Sequence, residues 1–136
     1  MVTTSPAIGA CVGTGQTMLC VEGDGGALQN IQELDTAARL GVKLLYVIFN
    51  DEAYAAEYHK LKVKKMNAQL SRVRAPDFAK IAEGFGCIGR TALTPEQVGA
   101  ACDEFMAGDA PMLINIKTSR NVVSIPYQRM HMGIDI

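Results

Sequence analysis

The chain has 136 residues, room for one hydrophobic core and one domain. Its 49% apolar and 20% charged residues, with 13 Lys+Arg against 14 Asp+Glu, describe an ordinary soluble globular chain of net charge −1. That balance excludes a nucleic-acid binder acting through bulk positive charge and an acidic disordered tail, and the longest apolar run, Leu44 to Phe49, is too short to span a bilayer.

The elements alternate along the chain. Residues 18–22 (MLCVE) read as a short strand that stops at Gly23-Asp24-Gly25-Gly26. A helix is expected from Ala27 to Leu40, with Leu28, Ile31, Leu34 and Ala38 recurring at three- and four-residue steps, and Gly41 falls where a helix ends in a left-handed residue. Residues 43–49 (KLLYVIF) are expected as a strand covered on both faces, ended by Asn50-Asp51-Glu52. Pro76-Asp77 opens a helix to about Phe85, closed by Gly86, and a short strand is expected near Cys87–Thr91. Thr94-Pro95-Glu96-Gln97 combines an N-cap threonine, a proline at the first helical position and a glutamine that closes a capping box. That helix runs through Phe105, and Gly108-Asp109-Ala110-Pro111 turns the chain into a last strand, Met112 to Lys117. The fold class is therefore α/β, a three-layer, mainly parallel sheet flanked by helices.

Two segments fit this pattern less well. Lys60 to Arg74 carries six Lys/Arg and no acid, and reads either as a phosphate contact or as a solvated face; no aromatic interleaving suggests nucleic acid. The tail 119–136 has no periodicity and could cover a site, pack on a partner or be loose. Met1-Val2-Thr3-Thr4-Ser5 has no basic or apolar signal region. Cys11, Cys20, Cys87 and Cys102 form no C-x-x-C pair, and His59 and His131 lie far from any of them, so zinc is not expected. The cysteines read as small buried hydrophobes in a reducing compartment, hence a cytoplasmic protein with no membrane or nucleic-acid partner.

The chemistry starts at Gly23-Asp24-Gly25-Gly26. Between a strand and a helix, glycines let an anion approach the backbone N–H groups at the helix start, where the dipole adds partial positive charge. The pattern fits a phosphate, but it also fits a plain tight turn. A dinucleotide fingerprint would need glycine where Leu28 stands, and no Gly-Lys-Ser/Thr follows for a P-loop. Asp24 beside a phosphate calls for an intervening cation. Mg²⁺ takes about six oxygens, commonly one or two from carboxylates. Asp51 stands 27 positions later, one helix and one strand on, so adjacent parallel strands return it to the same carboxyl edge. Spacing alone leaves Asp51 as a ligand or as the start of a turn.

Gly23-Asp24-Gly25 followed by Asn50-Asp51 resembles the G-D-G…N-N signature of thiamine-diphosphate enzymes. GDGGALQNIQELDTA, from Gly23 to Ala37, is similar to the stretch shared by acetolactate synthases and related 2-oxo-acid decarboxylases and carboligases. Ser5 to Ala10 (SPAIGA), Ala75 to Gly86 and Pro111 to Ile114 fit the flanking elements, so the resemblance reaches to about residue 126. It implies a single partial pyrophosphate-binding domain over 1–136, with a core of about 5–118, in an incomplete thiamine-diphosphate-binding fold.

The resemblance also implies roles. Thiamine diphosphate and Mg²⁺ would be the cofactors, with Asp24, Asp51 and the Ala53 carbonyl as metal ligands. Asp51 stands where the family commonly has asparagine. Gly23, Gly25 and Gly26 would hold the diphosphate, Asn50 would orient that loop or simply end the strand, and Tyr54 is a candidate pocket residue. Glu57 and His59 read as helix-surface residues. The activating glutamate of the family belongs to a separate pyrimidine-binding domain, so no catalytic residue is expected in this chain. Two expectations follow: a fragment or small subunit that works with a pyrimidine-binding domain from another chain, or a non-catalytic remnant that self-associates into a homo-oligomer.

Overall fold

The computed structural model describes residues 4–133, with His131 described in its backbone alone. Residues 1–3 of the leader reading, His131 as a side chain and residues 134–136 of the tail lie outside the described residues. Four parallel strands form the centre: β1 (Met18–Gly23), β2 (Leu44–Asn50), β3 (Ile88–Ala92) and β4 (Met112–Lys117), in spatial order β1-β2-β4-β3. The two most continuous apolar runs are the two interior strands, since both of their faces must be covered.

Five of the seven helices among the described residues pack on the sheet. On one face lie α1 (Thr4–Thr14), α2 (Asp24–Asn30), α3 (Leu34–Leu40) and α5 (Phe78–Gly84), whose Ile8, Ala27, Leu34 and Phe78 pack with Tyr46, Ile48 and Leu113. On the other lies α6 (Pro95–Ala107), whose Ala101 and Phe105 pack on Ala92, Met112 and Ile114. Crossovers moving outward from β1 use the first face, and the return from β3 to β4 uses the second, as a single crossover hand requires. The helix α6 packs chiefly on β3 and β4, and Leu19, Val21 and Phe49 on the β1–β2 half of that face are exposed.

Several boundaries differ from the sequence reading. The expected 27–40 helix starts at Asp24, with Gly23 as an extended N-cap (φ −84°, ψ 164°), and a 3-10 turn over Ile31–Glu33 splits it. The break falls where the buried Asn30 side chain donates to the Gly26 carbonyl at 3.1 Å. Gly41 ends α3 at φ 60°, ψ 33°, a left-handed position that favours glycine. Asp77 is the N-cap of α5, accepting from the Lys80 amide at 3.2 Å, so Pro76 stands before the cap. The Thr94 box forms with a shift: Thr94 accepts from the Gln97 amide, while Gln97 Oε1 reaches one residue further back, to the Leu93 amide at 2.7 Å.

The basic segment runs along α4 (Ala55–Val63), a 3-10 turn over Ala68–Ser71 and the chain beyond each, and all six of its cations are exposed. The tail contains α7 (Ile125–His131), whose Tyr127 hydroxyl donates to the Ala56 carbonyl of α4 at 2.6 Å. His59 is not a surface residue. It is 6% exposed because α7 lies against it, with Tyr58 edge-on at 5.6 Å and Tyr127 at 6.1 Å between ring centres. Cys11, Cys20 and Cys87 are buried and Cys102 is half-buried, with no disulfide among the described residues. Among the described residues, no helix is long and apolar enough to cross a membrane.

Candidate functional site

Register brings the two halves of the signature together. Gly23 pairs with Phe49 across β1 and β2, so Asp24 and the 50–53 loop leave the same carboxyl edge side by side. Asp24 opens α2 and is 1% exposed. Its Oδ1 accepts from the Gly25 amide at 2.8 Å, whereas Oδ2 is buried with no hydrogen-bond partner among the described residues. Burial holds the Asp24 carboxyl above the usual carboxylate range; the Asp51 charge adds to that, and the Gly25, Glu52 and Ala53 amides draw it down.

Asp51 sits in a tight loop in which its Oδ1 accepts from the Ala53 amide at 3.1 Å. No hydrogen bond reaches the Ala53 carbonyl among the described residues. Between these two, Glu52 adopts φ 58°, the left-handed region that non-glycine residues avoid. Its carboxylate accepts from Arg120 at 2.8 Å and lies 3.7 Å from Lys117. The Arg120 hydrogen bond holds the Glu52 carboxyl below its ordinary value.

A cavity of about 520 Å³ is lined by Gly23, Asp24, Gly25, Gly26, Asp51, Ala53 and Tyr54. Two other cavities lie away from the glycine turn: one at the opposite, amino edge beside Gly41 and Lys43, the other along β3 and β4. The chemistry-bearing side chains point to the 520 Å³ cavity. Seven of the eight residues singled out from sequence therefore meet there. Asn50 does not line it: 1% exposed, it donates to Asn115 Oδ1 at 2.9 Å and accepts from the Glu52 amide at 3.3 Å. Its place is beneath the loop, tying β2 to β4, and Asn115 extends the chain of bonds to Thr91 at 3.3 Å.

Tyr54 packs directly on the glycine turn. A Cβ on Gly25 would stand 2.3 Å from the Tyr54 ring, which is why no larger residue fits there with the ring in place. The sequence reading missed Thr118, which also lines the cavity; Glu57, read as a helix-surface residue, is exposed on α4 and borders it as well. Thr118 is brought there by the β2–β4 pairing, with its amide donating to the Asn50 carbonyl at 2.9 Å.

A sequence model described as "Thiamine pyrophosphate enzyme, C-terminal TPP binding domain" matches residues 2–116. The chain belongs to this family. Among relatives of the TPP-binding domain, the acetolactate synthase of Bacillus subtilis is 34% identical over 117 residues, covering 81% of this chain and 20% of that protein. The acetolactate synthase isozyme 2 large subunit of Escherichia coli K12 is 29% identical over 113 residues, 81% of this chain and 21% of that one. Among solved structures, the thiamine diphosphate-dependent 4-hydroxybenzoylformate decarboxylase of Rhodococcus jostii RHA1 superposes with a TM-score of 0.77 at 30% identity, over 83% of this chain and 22% of that one. The chain thus spans about a fifth of the length of the curated relatives it matches. The parallel sheet and its flanking helices are the fold of this TPP-binding domain.

The donor set fits a hard cation with a diphosphate. Asp24 Oδ2 is buried and unpaired, Asp51 faces the same cavity, and the Ala53 carbonyl is free among the described residues. Such oxygens suit Mg²⁺ rather than a softer metal, and no cluster of three or more His, Cys, Asp or Glu is found among the described residues. The Gly25 amide is engaged by Asp24 itself, which leaves the other first-turn amides of α2 facing outward without partners inside the helix.

Proposed function

We propose that this chain supplies the diphosphate- and magnesium-binding half of an acetolactate synthase-like enzyme that decarboxylates or joins 2-oxo acids, completed by a pyrimidine-binding domain from another chain. The observation that carries this is the orphaned Asp24 Oδ2, buried in a cavity that the family's signature residues line together. Asp24 and Asp51 would hold Mg²⁺ with the Ala53 carbonyl, and the Gly25-Gly26 turn would take the diphosphate. Thiamine diphosphate would supply there the nucleophilic carbon that adds to the carbonyl of a 2-oxo acid. Asn50 keeps Asp51 in place from below, and Tyr54 shields one side of the turn from water. With no activating glutamate assigned in this chain, catalytic turnover is expected only in the presence of a pyrimidine-binding partner.

Manganese substituted for magnesium tests the metal site. Paramagnetic broadening of backbone amide signals is expected to be confined to the neighbourhood of residues 23–26 and 50–54, and to vanish in Asp24→Ala. Broadening centred on the acids of α6 would contradict the assignment.

A second reading has its own observation. The outer edge of β1 pairs with no strand among the described residues, and Leu19, Val21 and Phe49 beside it are exposed apolar side chains. Such an edge favours pairing with a second copy, giving a self-associating remnant of the domain. Sedimentation velocity separates the two readings: a dimer that dissociates on Val21→Lys supports pairing through β1, and a monomer removes it.

A further inference from the structure

The loop that presents Asp51 and Ala53 also borders a second, smaller cavity. This space of about 280 Å³ is lined by Glu52, Arg72, Val73, Arg74 and Ala75. It adjoins the first because Ala53 and Arg72 form an antiparallel bridge pair. Around Glu52 stand Arg72, Arg74, Lys117 and Arg120, four cations to one acid. Arg72 bonds the neutral Gln69 at 3.2 Å, and neither Arg72 nor Arg74 has an acidic partner among the described residues. Asp77, the next acid along the segment, is already paired with Lys80 at 3.5 Å.

The way Glu52 is held shows what this edge accepts. A non-glycine residue at φ 58° is held in a conformation that L side chains avoid. Here that conformation delivers a carboxylate to Arg120, at 2.8 Å, and to Lys117. Arg72 and Arg74 line the same cavity without an acidic partner among the described residues, and guanidinium groups pair best with oxyanions. The charge excess is local, since the whole chain carries −1.

We propose that Arg72 and Arg74 form an oxyanion subsite beside the cofactor cavity, which takes the carboxylate of a small organic acid. The identification of that acid as a 2-oxo acid rests on the function proposed above; the subsite itself does not. A phosphate group offers the same chemistry, and the test separates the two.

The test is titration of the chain, free of metal and thiamine diphosphate, with pyruvate and with inorganic phosphate. It is followed by the arginine side-chain NMR signals and by calorimetry. Binding is expected to shift the Arg72 and Arg74 signals. The double variant Arg72→Gln/Arg74→Gln is expected to weaken it at least about tenfold, a loss of roughly 1.4 kcal/mol. The control Lys60→Gln/Lys64→Gln removes the same charge from the same basic segment away from the cavity, and is expected to leave affinity within about twofold. Tighter binding of pyruvate assigns the subsite to a substrate carboxylate, and tighter binding of phosphate assigns it to a phosphorylated ligand. Equal weakening by both double variants, or no binding of either anion, overturns the proposal. Displacement of the bound anion by Mg²⁺ and thiamine diphosphate would also overturn it, because the arginines would then belong to the cofactor's own site. A chain that bound pyruvate but no thiamine diphosphate would keep the subsite and lose the proposed function.

Discussion

Replacing Asp24 by asparagine should make the metal-free protein more stable while abolishing its response to magnesium. Asp24 is 1% exposed, its Oδ2 lacks a hydrogen bond, and the Asp51 charge opposes its ionised form. A buried polar atom without a partner costs about 1–3 kcal/mol, and more when charged. Asparagine keeps the acceptor for the Gly25 amide and removes the buried charge that the Asp51 carboxylate opposes. A net gain of about 1.5 kcal/mol is expected. With about 2.1 cal/mol/K of unfolding entropy per residue over 136 residues, that is a rise in Tm of roughly 5 °C. The assay is thermal unfolding in chelator and again in magnesium. Wild type should gain about 1.4 kcal/mol at ten times its dissociation constant, and the variant nothing. A variant that melts below wild type in chelator would refute the reasoning, since Asp24 would then be a structural residue and not one held ready for a cation.

Other positions give further tests. Asn115→Leu leaves the Asn50 amide buried without its acceptor, and urea unfolding should show a loss of about 2–3 kcal/mol, well above an ordinary surface change. Gly25→Ala should displace the Tyr54 ring; in a double-mutant cycle its penalty should largely disappear in a Tyr54→Ala background, and additive losses would contradict the packing described. Burial, then Lys62, hold the His59 imidazole below its ordinary value of 6.5, against the pull of Asp51. As pH falls from that value towards the lowered one, the unfolded chain takes up the proton first, so His59 contributes stability at neutral pH that is lost on acidification. Urea midpoints of wild type should therefore drop between neutral and mildly acidic pH more than those of His59→Phe.

How much of this was legible in the sequence depended on where the information lies. The interior strands were readable as continuous apolar runs such as LLYVIF, although the expected cover on both faces fails at Phe49, which is exposed on the β1–β2 half of the α6 face. The juxtaposition of Asp24 and Asp51 was readable because one crossover separates them, so strand pairing alone unites them. Asn50 shows the limit: its partner Asn115 is 65 residues away, and only the β2–β4 adjacency, which no local pattern encodes, makes the pair. His59 was misread because it lies against Tyr127 of a helix from the far tail, next to the buried Tyr58. That helix was itself hidden. Ser124 and Pro126 are recognisable start signals, but Ile125 and Met130 are exposed, so no apolar stripe marks α7. The early start of α2 escaped because glycines in a first helical turn read as a loop.

Isothermal titration of thiamine diphosphate into the chain, with and without Mg²⁺ and repeated with Asp24→Ala, is the measurement to make first. Binding that requires both the metal and the Asp24 carboxylate is the expected result. Binding that persists in Asp24→Ala, or that ignores magnesium, would contradict the site described here, and no binding to wild type would leave the signature as a feature of ancestry alone.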